Sequence, residues 1–315
     1  MYDQRARKGY LTGRGHEPRT TAWRPDLAAA SLKGILDASR YVEGVEYQCR
    51  VPSTELRFEP WNHSATETQL LFGEIFVVYH VDERTGYAWG QSKLDEHVGF
   101  VKFADLTPVA VESTHWVSAP IAYVLPRPDR QAEPKMAPLC LNSRVTVYET
   151  SKEDPIYVRV GEDMWMFIGD LRRIGNWLKD PVAAIRPFAD LSYYLWGHRD
   201  GIAFDCSALT QAGWLSMGLP CFRDADQQEG DFRLGRRVDV DSALRRLRPF
   251  DQLYWRNLED PARCHLTIMV DEENAIHSKG SEARRTLIEP IADIIAWRRE
   301  EYGQEVRTVK RYSLS

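Results

Sequence analysis

The spacing of apolar positions changes period several times along the chain. Ala208 to Met217 has helical spacing, and Gly218 and Pro220 close it. Asp205-Cys206-Ser207 stands just before it, so Cys206 falls at a predicted helix N-terminus. Downstream, His265-Leu266-Thr267-Ile268-Met269-Val270 is a short apolar run. Asp271-Glu272-Glu273-Asn274 is turn-like, and Ala275-Ile276-His277 resumes the run. This pattern predicts a hairpin with one histidine on each strand. Pro249 to Trp255 predicts a turn and a strand, Pro290 to Tyr302 a helix, and Val306 to Tyr312 a closing strand. Ile174 to Lys179 and Pro181 to Leu191 predict further helix.

The first half reads differently. Residues 1–22 form a polar, mobile tail rich in Arg and Gly. Leu27 to Tyr41 follows Pro25-Asp26, with Leu27, Leu32, Ile35 and Leu36 as the stripe of a helix. From Tyr47 short strands separated by Gly and Asp turns take over: Ile75 to Tyr79, Tyr87 to Gln91, Val98 to Val101 and Ala104 to Leu106. A weaker copy runs from His115-Trp116-Val117 to Gly169-Asp170-Leu171, with a long proline-containing loop at Pro126 to Pro138. Both read as small barrels, an architecture that hosts many functions.

A chain of 315 residues with 43% hydrophobic content suggests two or three domains with ordinary cores. The net charge of −5 gives no reason to expect nucleic acid or an anionic membrane as partner. No apolar run approaches a transmembrane length, and the N-terminus lacks the apolar core of a secretory signal. Cys49, Cys140, Cys206, Cys221 and Cys264 are odd in number and widely spread, against a disulfide framework or a zinc site. Free thiols fit a reducing cytoplasm, and no metal or cofactor is called for.

The cysteine at the helix start carries the candidate chemistry. Unpaired amide groups and the positive end of the helix dipole favour a thiolate there. A buried cysteine is ordinarily just a small apolar residue. A nucleophile, however, needs a base, and the base needs an orienting partner. Cys206, His265 and His277 supply all three in order.

Tyr193-Tyr194-Leu195-Trp196-Gly197, Asp205-Cys206-Ser207-Ala208-Leu209, and His265-x-x-Ile268 with a further His277 resemble the NlpC/P60 family of papain-like cysteine peptidases. The upstream strands resemble the bacterial SH3 domains that precede this domain in γ-D-glutamyl-L-diamino acid endopeptidases. The resemblance implies an α+β papain-like domain, its cysteine helix packed on an antiparallel sheet carrying the histidines. Two small all-β SH3b barrels and an N-terminal helix would precede it. The implied boundaries are 1–46 for tail and helix, 47–111 and 112–175 for the barrels, and 176–315 for the peptidase. Cys206 would be nucleophile, His265 base and His277 its orienting partner. Tyr194, Asp205 and Ser207 would meet substrate, although Asp205 alone reads equally as a helix cap. The implied reaction is cleavage of the γ-D-glutamyl–diaminopimelate bond in peptidoglycan peptides with a free N-terminal L-Ala, during cytoplasmic cell-wall recycling. Glu74, from the Gly73-Glu74 motif, is the candidate acid for the ammonium group.

Several positions depart from the family pattern. His198 replaces a second glycine, Ala208 a glycine, Phe222 a proline, and Asp251-Gln252 a Gly-Asp pair. Leu266-Thr267 stands where a glycine follows the base, and Arg256 to Cys264 reads as an inserted loop beside it. Two alternatives follow: a low-turnover muropeptide-binding protein, or an amidase or acyltransferase acting on another amide.

Overall fold

The computed structural model describes residues 4–109, 111–256, 264–281 and 283–313. The C-terminal half is built on an eight-stranded sheet. In spatial order its strands are Ala203–Phe204, Tyr193–Tyr194, Arg285–Pro290, Asn274–Lys279, Cys264–Met269, Gln252–Arg256, Glu305–Arg311 and Arg236–Val238. All the pairings are antiparallel except that between the first two. Six α-helices occur among the described residues: α1 (Gln4–Thr12), α2 (Pro181–Ile185), α3 (Cys206–Ser216), α4 (Ala225–Gly230), α5 (Val240–Leu244) and α6 (Ile291–Tyr302).

Side-chain alternation assigns the two faces of this sheet. Ile268 and Ile276 pack with Leu209 and Ala212 of α3. Met269 and Ala275, one residue out of phase, pack with Ile291 and Ile294 of α6. Every residue of α3 is buried, so that helix is held on all sides. The hairpin, α3, α6 and the closing strand therefore follow the sequence pattern. The inserted loop expected between Arg256 and Cys264 falls on 257–263, outside the described residues.

The first β-unit is a seven-stranded sheet from Val45–Cys49 to Leu106–Pro108 with its own core of Leu56, Phe76, Ala88 and Val101. A second β-unit spans His115–Val117 to Leu171–Arg173 and buries Val117, Val124, Val158 and Met166. Both close alike: a 3-10 turn, Phe103–Asp105 or Ile168–Asp170, leads into a last strand paired with the first.

Two expectations for the N-terminal part fail. The tail is not free chain, since Gln4–Thr12 is helical. Its Arg7 donates to the carbonyls of Thr21 and Trp23, Leu11 is fully buried, and Tyr10 stacks on Trp23 at 4.3 Å. The helix expected over Leu27 to Tyr41 is instead a small sheet of Trp23–Arg24, Leu27–Ala29 and Tyr41–Val42. Leu27, Ala28 and Ala29 are buried consecutively, Gly34 takes φ of +82°, and Ile35 is 60% exposed, so no helical stripe forms. A third correction concerns residues 174–179. Gly175 has φ of +94° and Trp177 packs on Trp116, which makes this an extended connection rather than a helix. Only Pro181–Ile185 is α-helical, followed by one 3-10 turn at Arg186–Phe188.

The first β-unit and the C-terminal half share a polar seam. Arg199 donates to both oxygens of Glu74 at 2.8 and 2.9 Å, and its amide donates to Gln69 at 2.7 Å. Gly197, at φ of +77°, approaches so closely that a Cβ would stand 2.5 Å from the Thr66 carbonyl oxygen. Glu74→Leu leaves the Arg199 charge buried and unpaired. Chemical denaturation of that variant should show a loss of about 3–5 kcal/mol; a change within about 0.5 kcal/mol would mean the pair contributes nothing.

Candidate active site

Cys206 opens α3, and Asp205 caps that helix. One Asp205 oxygen accepts the Ala208 amide at 2.9 Å, and the other accepts the Gly197 amide at 2.9 Å. Arg223, 1% exposed, donates to both oxygens of Asp205, to the Ser207 hydroxyl at 3.0 Å and, through Nε, to the Thr68 hydroxyl at 2.8 Å. Burial alone would raise the Asp205 carboxyl pKa. The Arg223 guanidinium overcomes that and holds it below the usual carboxylate range. Asp205 and Ser207 both line the cavity beside Cys206, but the Asp205 carboxylate is fully occupied by cap and guanidinium. Its role in the structure is to fix the helix start.

His265 and His277 are joined directly, His265 Nε2 to His277 Nδ1 at 2.9 Å. The other ring nitrogen of His277, Nε2, meets Glu289 Oε2 at 2.8 Å. The Trp297 ring of α6 stands edge-on to both imidazoles, with centroids 6.1 and 6.0 Å away. The histidines thus sit on the α6 face of the sheet, while Cys206 belongs to a helix on the other face. Among the described residues no hydrogen bond joins the Cys206 thiol to His265. What they share is Arg298 of α6, whose charge acts on Cys206, His265 and His277 alike.

Burial disfavours charge on the thiol and on both imidazoles. Burial, reinforced by the Asp205 carboxylate, pushes the Cys206 thiol up, against the opposing pull of Arg298 and Arg223. Burial thus works against the ionisation that a helix N-terminus favours. Burial and then Arg298 drive His265 well below the ordinary histidine value of 6.5, and burial lowers His277 despite Glu289. Burial also pushes Arg298 down to about 10.

A cavity of about 490 Å³ opens on Cys206. Charged and polar residues on its walls include Glu17 and Arg19 before the first β-unit, Glu67 and His97 within it, and Asp224 and Asp226 at the start of α4. Arg19 donates to Glu17, Asp224 and Asp226 at 2.7–2.9 Å. Glu74 is not on this wall; its carboxylate is buried against Arg199 and the Leu71 amide, so it cannot meet a substrate ammonium. Tyr194 lies close to Gly280, where a Cβ would come within 2.8 Å of its ring, and burial pushes its phenol up. Trp196, 64% exposed, forms part of the cavity rim. His198 takes an ordinary backbone conformation, because Gly197 supplies the left-handed turn.

Two family models match the chain, a bacterial dipeptidyl-peptidase SH3 domain over residues 56–106 and the NlpC/P60 family over residues 192–297. The chain carries an NlpC/P60 domain together with a bacterial SH3 domain. The fold agrees with solved structures of that family. An NlpC/P60 family protein from Bacillus cereus ATCC 10987 superposes with a TM-score of 0.68 at 19% identity, covering 86% of this chain and 100% of that one. An NlpC/P60 endopeptidase from Photobacterium damselae subsp. piscicida superposes with a TM-score of 0.56 at 12% identity, covering 84% and 71%. No curated protein matches the sequence. NlpC/P60 proteins are typically cysteine peptidases, generally of the cell wall. Sequence reading missed Glu289, Arg298 and Arg223 as parts of this NlpC/P60 site; only Arg223 lay within a motif, Phe222-Arg223-Asp224.

The Asp205–Arg223 pair has a measurable signature. Asp205 is depressed in the folded state, so its stabilisation is present above the unfolded value near 3.8 and is lost as pH falls through the lower folded value. Arg223→Met removes the cause of that depression. Without Arg223, burial leaves the Asp205 carboxyl above its unfolded value, so the variant, less stable at neutral pH, should lose less melting temperature on acidification than the parent, and the gap between them should narrow as pH falls towards and below 3.8; superimposable pH dependences would contradict the assignment.

Proposed function

We propose that the protein is a cysteine endopeptidase that hydrolyses the γ-D-glutamyl–diaminopimelate bond of peptidoglycan peptides bearing a free N-terminal L-Ala. The observation that carries this reading is the joined pair His265–His277, at the sheet end reached by the N-terminus of α3, under one guanidinium that acts on thiol and imidazoles together.

The Cys206 sulfur attacks the γ-carbonyl carbon of D-Glu while its proton passes to His265. Nε2 of His265 is already bonded to His277, which leaves Nδ1 as the acceptor. Catalytic contacts of this kind tighten when substrate binds. The Cys206 amide, at the helix start, stabilises the oxyanion. The C–N bond then breaks, and His265 returns the proton to the leaving amine of the diamino acid. Water attacks the resulting thioester, its proton goes to His265, and the released thiolate recovers it.

Selectivity for a free amine rests on the charge of the cavity. Glu17, Glu67, Asp224 and Asp226, but not Glu74, are acids on its wall, and of these four Glu67 is the one Arg19 does not hold. A closed pocket with carboxylates favours an ammonium and rejects an acylated terminus. The second β-unit reads as a second SH3b barrel because it repeats the closing turn and strand of the first. A cytoplasmic role in recycling wall peptides is consistent with five free cysteines.

The burial of the Cys206 thiol, with no hydrogen bond to His265 among the described residues, favours the binding-protein alternative, and one assay separates the two. Purified protein is incubated with L-Ala-γ-D-Glu-meso-diaminopimelate and with its N-acetylated form, and the products are read by mass spectrometry alongside Cys206→Ala. Release of L-Ala-D-Glu by the parent alone, from the free peptide alone, is expected. Binding of the free peptide without cleavage would replace the peptidase reading by the binding one, and equal rates on both peptides would remove the amine selectivity.

A further inference from the structure

Glu289 belongs to neither the cysteine helix nor the histidine hairpin, yet it ends the chain of polar contacts that begins at His265. It stands on Arg285–Pro290, directly opposite Ala275, while His277 is opposite Leu287. Glu289 is thus the diagonal cross-strand neighbour of His277, on the same sheet face, and such neighbours lie within reach of long side chains. One carboxylate oxygen meets His277 Nε2 at 2.8 Å; the other meets the Lys279 ammonium at 3.5 Å. The Lys279 ammonium in turn lies 4.3 Å from the Trp297 ring centroid.

The protons in this array follow from the donor and acceptor inventory. An ionised carboxylate only accepts, so His277 carries its proton on Nε2. A neutral His277 then offers the Nδ1 lone pair, so His265 carries its proton on Nε2. That leaves a lone pair on His265 Nδ1, the atom the proposed reaction needs as a base.

We propose that Glu289 is a positioning residue that selects the tautomer of both histidines and offsets the positive charge formed on His265 when the thiol proton arrives. The inference rests on the peptidase reading of Cys206 and His265. Its necessity is plain from the surroundings. Arg298 on α6 and Lys279 on the hairpin both disfavour a cation at His265, and Trp255 and Trp297 flank its ring without a compensating charge. Among the described residues, Glu289 is the carboxylate bonded to the pair.

The test compares the parent with Glu289→Gln and Glu289→Leu. A glutamine oxygen can still accept from His277 and so preserves the tautomer without the charge; leucine removes both. With the peptide above, Glu289→Leu should lower kcat about tenfold or more at unchanged KM, with Glu289→Gln between it and the parent. The acid limb of kcat should move to lower pH in both variants, because loss of the carboxylate makes the imidazoles harder to protonate. A residue that only supported the fold would not move that limb. Alkylation of Cys206 by iodoacetamide, mapped by mass spectrometry, uses the same base and needs no peptide; it should slow about tenfold in Glu289→Leu at neutral pH. If the parent cleaves and both variants match it in kcat and acid limb, Glu289 has no such role while the peptidase reading stands. If the parent fails to cleave but its Cys206 alkylation depends on Glu289, the positioning role stands and the substrate is wrong. If neither holds, both fall.

Discussion

The buried ion pair between Asp205 and Arg223 is the constraint on which the rest of the site depends. Removing two charges from water is costly unless the geometry is close and the remaining hydrogen-bonding groups are filled. Here they are. Asp205 receives the helix cap, the Gly197 turn and two guanidinium contacts, and Arg223 also reaches Ser207 and the first β-unit at Thr68. The pair therefore fixes where α3 begins, which sets the position of Cys206, and it ties that position to the SH3 domain. The neighbouring Arg199–Glu74 pair repeats the device across the same seam.

A closely packed site of this kind has an electrostatic consequence. Desolvation is the largest influence on both the thiol and the imidazoles, raising the one and lowering the others, and so works against a thiolate–imidazolium pair in the free protein. In the proposed mechanism, proton transfer accompanies attack. Its course depends on which imidazole nitrogen holds a proton beforehand, and that is a matter of hydrogen-bond direction from Glu289 through His277 to His265. The cavity, in contrast, is highly charged, with Arg19 held among three carboxylates and Glu67 beside His97. The buried histidine pair and the charged cavity meet at Cys206, which lines that cavity.

Local signals made α3 and the histidine hairpin legible in the sequence. Asp205 and Gly218 bracket one helix, and the twelve-residue step from His265 to His277 fits two strands and a tight turn. The N-terminal region was not legible in this way. Leu27, Leu32, Ile35 and Leu36 match a helical stripe, but Leu27 to Ala29 form a strand buried on both faces, Ala28 against Trp23 and Leu27 and Ala29 in the cluster of Tyr87 and Trp89, and Gly34 makes a left-handed turn. Arg7 and Leu11 look like a polar tail until their tertiary partners are in place. Glu74 sat in the expected motif, but its function depends on Arg199, 125 residues away. Glu289 and Arg298 were invisible for a similar reason. Their roles come from cross-strand register and helix docking, and neither leaves a spacing pattern in the chain.

The central claim is that acyl transfer runs through the Cys206 sulfur. Rapid acid quenching during turnover of L-Ala-γ-D-Glu-meso-diaminopimelate, followed by digestion and mass spectrometry, tests it most directly. The segment containing Cys206 should carry the mass of the L-Ala-γ-D-glutamyl acyl group, and the adduct should be absent without peptide. Consumption of the peptide at full rate, with Cys206 unmodified at every quench time and still required for nothing when replaced by alanine, would contradict it.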